Sequence, residues 1–288
     1  MGKLIRINGV TFDPKYILKT IELPDEPVIP DEPIVPVTIA DYPVQDGLKG
    51  LYDLGRYDGL GNENDPLENH APNGTNAVLA DGNTWTVGDD YAIFSGKTNV
   101  SRVITNIQLT LENTVTFVAL FRVPTGRRPL IGNRRGTGST ATNFGLDLLN
   151  TEVHLCVGGK AQAYAFDTPI NSDNFAILAL RATTSGVMVD RYTNGVLTRV
   201  PFVSTTDGTK MDCYEGVVDA WATNVTANVF KIGGNTLSNT DGDAHISLAA
   251  IHEGDITGGV EGVTVEDKLL EICQFVKAYG EEKGLTIE

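Results

Sequence analysis

"VMVDRYTNGVLTRV", residues 187–200, sets the fold class by its spacing. Val187, Val189 and Arg191 alternate with Met188, Asp190 and Tyr192, the two-residue period of a strand whose faces meet different surroundings. Asn194-Gly195 then interrupts the run with a dipeptide that tolerates the positive φ angles of a tight hairpin. The segment reads as strand, turn, strand.

Runs of the same length surround it. "VTFVALFRV" (115–123), "NFGLDLL" (143–149), "EVHLCVG" (152–158) and "FAILALRAT" (175–183) are strand-sized, and some are apolar throughout, which suits central strands. Turn signals at Thr125-Gly126, Gly158-Gly159 and Ser185-Gly186 separate them at the spacing of a two-sheet sandwich. The 31 glycines and 9 tyrosines fit β-structure with frequent turns, and long helical periodicity is nearly absent. With 288 residues, 41% hydrophobic and 20% charged, the chain can bury one large domain after the first 45 residues are set aside.

Those first residues have another character. In "LPDEPVIPDEPIVPV" (23–37) proline recurs at 24, 27, 30, 33 and 36, so all five rings share one edge of a polyproline II rod. Residues 24–36, at ~3.1 Å each, span roughly 40 Å. The same prolines satisfy the PxxP pattern of a ligand for proline-recognising domains, but Asp25, Glu26, Asp31 and Glu32 give the rod an acidic character instead of the usual basic flank. Before the rod, "KLIRINGVTF" (3–12) reads as a hairpin about Asn8-Gly9. A lone hairpin is marginally stable, so it pairs with another sheet or chain, or folds back onto its own main domain. The expected organisation is a docking arm (1–22), a Pro-rich linker (23–46) and a sandwich (47–288). The last includes a helix at 264–283, capped by Thr264 with Asp267 and with Val265, Leu269, Ile272, Val276 and Tyr279 on one face.

Lysine and arginine total 22 against 37 acidic residues, a formal charge of −15 that repels phosphate backbones, so nucleic acid is not an expected partner. "RRPLIGNRR" (127–135) is the exception, either a solvated loop or a patch for an acidic partner or anionic glycan, with Arg134 as its candidate residue. No stretch has the length to span a bilayer and no signal-type core is evident, so synthesis in a cytosol without membrane insertion is the expectation. Cys156, Cys213 and Cys273 are too widely spaced for a disulfide framework or a zinc pattern.

"LKGLYDLG", "YAIFSGKTNV", "VTFVALFRV", "VMVDRYTNGVLTRV", "VFKIGGN" and "AHISLAAIHEGDIT" follow one another in the order of a laminin-G-like, concanavalin-A-like jelly roll, and the chain resembles that family from about residue 47 onward. The resemblance implies an all-β, two-sheet antiparallel sandwich. It also implies a domain type that often binds sugars and that bacteriophage virion proteins carry behind an N-terminal attachment segment.

Candidate sites are few. Glu63, Asp65 and Glu68 match the E-x-D-x-x-E spacing of some jelly-roll glucanases, yet Pro66 and the turn cluster before it disfavour a regular strand there, so no catalytic residue is assigned. His245 and His252, seven apart, point to opposite faces if their strand is unbroken. Asn239, Asp241 and Asp243 form either a plain Asx-rich turn or a calcium loop; no cofactor is otherwise expected. Trp85 is either a sugar-stacking ring or core packing. The expectation is a non-enzymatic virion component, oligomeric in the particle, bound to other virion proteins through residues 1–22 and displaying a host-glycan-binding sandwich; a glycoside hydrolase and a ligand-free decoration protein are the alternatives. Deleting residues 1–22 should leave a soluble, folded sandwich that no longer joins its parent particle, read by circular dichroism and particle co-sedimentation. Unfolding, or normal occupancy, would refute the arm.

Overall fold

A computed structural model describes residues 5–7, 10–12, 36–55, 66–79, 86–87, 90–95, 103–108, 114–132, 144–149, 151–157, 160–166, 168–183, 185–204, 207–213, 229–234 and 242–288. The chain divides into two compact units, Met1–Pro36 and Val37–Glu288. In the first, β1 (Ile5–Ile7) and β2 (Val10–Phe12) are antiparallel with Ile7 opposite Val10, the register of a hairpin closed by two residues. Asn8-Gly9 and the proline repeat as far as residue 35 lie outside the described residues.

The second unit is a sandwich of two antiparallel sheets. One contains β3 (Leu48–Asp53), β5 (Thr86–Val87), β6 (Ala92–Phe94), β8 (Val115–Thr125), β13 (Ala176–Thr183), β14 (Gly186–Thr193), β15 (Val196–Arg199) and β19 (Asp243–Glu253). Its order is β15-β14-β13-β8-β19-β6-β5, with β3 also paired to β19. The other contains β4 (Val78–Leu79), β7 (Val103–Ile104), β9 (Arg128–Gly132), β10 (Phe144–Leu148), β11 (Glu152–Val157), β12 (Lys160–Phe166), β16 (Phe202–Ser204), β17 (Lys210–Met211) and β18 (Lys231–Ile232). Here the order is β17-β16-β12-β11-β10-β9-β18-β7-β4.

Between the sheets, Phe117, Phe121, Leu178, Leu180, Val187 and Val189 meet Leu130, Leu146, Leu148 and Ile232. On the opposite face of the first sheet, Val118, Leu120, Ile177, Ala179, Tyr192 and Leu248 lie under α1 (Val265–Glu282), which contributes Leu269, Ile272, Cys273, Val276 and Tyr279. Water is therefore excluded from both faces of β8 and β13, which is why their sequences are apolar without alternation. Burial pushes the Cys273 thiol up to about 12, as befits an inert packing residue.

α1 begins as its sequence requires. Thr264 Oγ1 accepts from the Asp267 amide at 3.1 Å, and Asp267 Oδ2 accepts from the Thr264 amide at 2.9 Å. At the other end, buried Asp53 on β3 accepts a hydrogen bond from the Tyr279 hydroxyl and pairs with Lys283 Nζ at 2.5 Å. Residues 37–46, read from composition as the end of the linker, supply Tyr42 and Val44 to the helix-side core.

β19 differs from the simple alternation in a way that matters. Ile246 pairs with Phe121 and Leu248 with Leu120, so Ser247 is an extra residue, a bulge that reverses which side chains face the other sheet. Ala244 and Ile246 precede it on the inter-sheet face; Ala249 and Ile251 follow it there. His245 and His252 thus both point to the helix-covered face, correcting the expectation of opposite faces.

Gly47, just before β3, has φ +64, and a Cβ there would lie 2.4 Å from the Glu253 carbonyl oxygen. Gly47→Ala should cost at least about 2 kcal/mol through left-handed strain and displacement of the β3–β19 pairing, measured by urea unfolding. An unchanged midpoint would show that this junction yields freely.

Candidate functional site

The β14–β15 hairpin positions a cleft at the edge of its sheet. Asn194 and Gly195 have φ of 52 and 84, both left-handed, so β14 returns as β15 through a two-residue turn. The register sets Asp190 opposite Arg199, Arg191 opposite Thr198 and Tyr192 opposite Leu197. Tyr192 and Leu197 pack on the helix side. Arg191, Thr193 and Thr198 consequently occupy the other side, continuing the inward row of Val187 and Val189 beyond the apolar core.

There they border a cleft of about 330 Å³ with Thr168, and with Arg199, Val200 and Pro201 where the chain leaves β15. Arg191 is fixed from three directions. Nη1 donates to the carbonyls of Thr168 (3.1 Å) and Pro169 (3.4 Å), and Nη2 pairs with Glu288 Oε2 at 2.7 Å. Arg199 turns its guanidinium to buried Asp190, with Nε to Oδ1 at 2.6 Å and Nη2 to Oδ2 at 3.5 Å. Hydroxyl groups, an immobilised guanidinium and the apolar side chains of Val200 and Pro201 can together bind a polyhydroxylated molecule, with hydrogen bonds to its hydroxyls and contact with its C–H groups.

Two histidines lie on the helix-covered face. Arg122 Nη2 donates to His245 Nδ1 at 2.7 Å, His245 stacks on Tyr91 with centroids 5.0 Å apart, and Arg122 also lies over the rings of Tyr91 and Phe175. Desolvation first, and the Arg122 charge second, bring His245 down to about 4. His252 is wholly buried: Nδ1–H donates to the Asp46 carbonyl and Nε2 accepts from the Tyr42 hydroxyl, both at 2.9 Å. Its pKa is lowered, chiefly by desolvation.

Of the residues nominated from sequence, Trp85, Arg134, Asn239 and Asp241 lie outside the described residues, as do Glu63 and Asp65. Asp243 opens β19, where its Oδ2 accepts from Thr125 Oγ1 at 3.4 Å. Among the described residues no cluster of histidine, cysteine and carboxylate groups could hold a metal. Glu68 is exposed, 3.8 Å from His70 Nδ1, beside an isolated bridge between Leu67 and Ala77. In the basic stretch, Arg128 corrects the reading as a surface patch, while Arg127 is half-buried and Arg134 and Arg135 lie outside the described residues. Arg127 pairs with Asp147 at 2.6 Å, and Arg128 is wholly buried, donating to the carbonyls of Gly233 (2.7 Å) and Gly242 (3.1 Å). The cleft itself went unnoticed in the sequence, although its signal was present: the inward row of β14 changes from Val187 and Val189 to Arg191 and Thr193.

No family model and no curated protein matches the sequence. Among solved structures, Trypanosoma rangeli sialidase in complex with 2,3-difluoro-KDN overlays with a TM-score of 0.50 at 16% identity, over 86% of this chain and 36% of the sialidase chain. The same enzyme with 2,3-difluorosialic acid, a covalent intermediate, gives 0.50 and 16% over 79% and 33%. The receptor-binding domain of botulinum neurotoxin mosaic serotype C/D gives 0.45 and 13% over 82% and 54%. The chain spans about a third of the sialidase chains, and the likeness is one of fold. It corrects one expectation: chains of enzymes that act on sugars share this fold, so a non-enzymatic reading has no support from the architecture.

Both histidines have folded-state pKa values below 6.5, so the unfolded chain takes up protons that the native state refuses. Their contribution to stability is complete above pH 6.5 and declines as pH falls, for His245 down to about 4. The melting temperature should therefore fall between pH 6.5 and 4.5, and His245→Asn should flatten the slope. A native profile that is level across this interval would contradict the burial argument.

Proposed function

We propose that this chain is a carbohydrate-binding β-sandwich of a bacteriophage particle, attached to other virion proteins through residues 1–22 and binding host-surface glycan in the cleft beside β15. The cleft carries the reading: Thr168, Thr193 and Thr198 line it together with an anchored guanidinium and the apolar Val200 and Pro201, a mixture of groups that a sugar ring can use. Support also comes from the fold, which overlays on sialidase chains solved with sialic acid derivatives. The virion role rests on the proline repeat and on the order of motifs along the sequence. A second reading, a glycoside hydrolase, draws on the same sialidase likeness.

A glycan array with the full chain, run beside a hydrolysis assay on the same sugars, separates the two. Retention of intact glycan supports the binding module, and release of free sugar supports the hydrolase. The absence of both retention and release would overturn both readings. Immuno-electron microscopy of assembled particles tests the virion assignment, which requires label on the particle surface.

A further inference from the structure

Resting on the carbohydrate-binding reading, we propose that the β15 cleft selects uncharged sugars over carboxylate-bearing ones. An arginine at a sugar site usually suggests an acidic ligand, because a guanidinium binds a carboxylate through two parallel hydrogen bonds. Here that capacity is already used. Glu288 occupies Arg191 at 2.7 Å and Asp190 occupies Arg199 at 2.6 Å, so each cation at the cleft has its own anion. A carboxylate ligand would meet an ion pair instead of a free charge, in a protein whose formal charge is −15.

The rest of the lining agrees with this. The hydroxyls of Thr168, Thr193 and Thr198 add donor–acceptor groups with no charge preference. At about 330 Å³ the cleft lies near the lower end of small-molecule sites, suiting one or two sugar rings.

Isothermal titration and saturation-transfer NMR on the full chain would compare methyl glucoside, galactoside and mannoside with glucuronate and N-acetylneuraminate. At least one neutral glycoside should bind, with both acids weaker by about tenfold or more. Thr198→Val should weaken that glycoside about fivefold, the loss of one hydrogen bond, at an unchanged melting temperature. Glu288→Gln removes the anion that neutralises Arg191 and should shift preference toward glucuronate. If either acid binds the native protein as tightly as the best neutral glycoside, the selectivity is wrong while carbohydrate binding stands. If glycoside affinity ignores Thr198→Val, the cleft is not the site: this inference falls together with the placing of glycan in the cleft, while carbohydrate binding elsewhere on the chain stands. If none of the sugars binds, the carbohydrate reading falls with it.

Discussion

Strands β8 and β13 have water on neither face, so their backbone N–H and C=O groups depend on the ladder, and nearly every side chain along them must be apolar. Val118 and Leu120 sit under the helix, while Phe117 and Phe121 meet the second sheet. Each such side chain contributes roughly 1.5–3 kcal/mol on burial. The helix is accordingly a third layer; its first turn is closed by the Thr264–Asp267 cap, and its last turn is tied to β3 by Asp53 with Tyr279 and Lys283. Removing one member of a buried ion pair such as Asp53–Lys283 typically costs about 3–5 kcal/mol, because the remaining charge has no water to replace its partner.

The cleft marks where that dryness ends. β14 runs from the closed core, through Val187 and Val189, into a margin where the same face carries Arg191 and Thr193. Polar side chains are tolerated there because Glu288, Asp190 and the carbonyls of residues 168 and 169 pair with most of the guanidinium donors. The proposed ligand chemistry and the termination of the sheet would therefore use one set of residues.

Local rules explain which features could be read in the sequence. Asn194-Gly195 fixes a turn by backbone preference alone, and Thr264 with Asp267 fixes a helix start within one turn of chain; both needed no knowledge of distant residues. The Ser247 bulge depends on how β19 meets β8, a pairing between residues more than a hundred positions apart, and nothing in "AHISLAAIHE" announces it. Arg127 and Arg128 look like surface charge until Asp147, Gly233 and Gly242 are brought against them. Tyr42 and Val44 likewise gain their place from His252 and the helix, far along the chain. The cleft was half legible: the polarity change along β14 is in the sequence, but its partners at Thr168 and Glu288 come from elsewhere.

Arg128 holds Gly233 and Gly242 by their carbonyl oxygens, atoms that every residue type possesses. Yet neither position is open to every residue type: a Cβ at Gly233 would lie 2.5 Å from the Phe94 ring, and one at Gly242 2.5 Å from the Arg127 carbonyl oxygen. The guanidinium needs only backbone oxygens, and the close approach that delivers them excludes a side chain, so a substitution at either glycine would loosen a buried cation without touching any group that binds it.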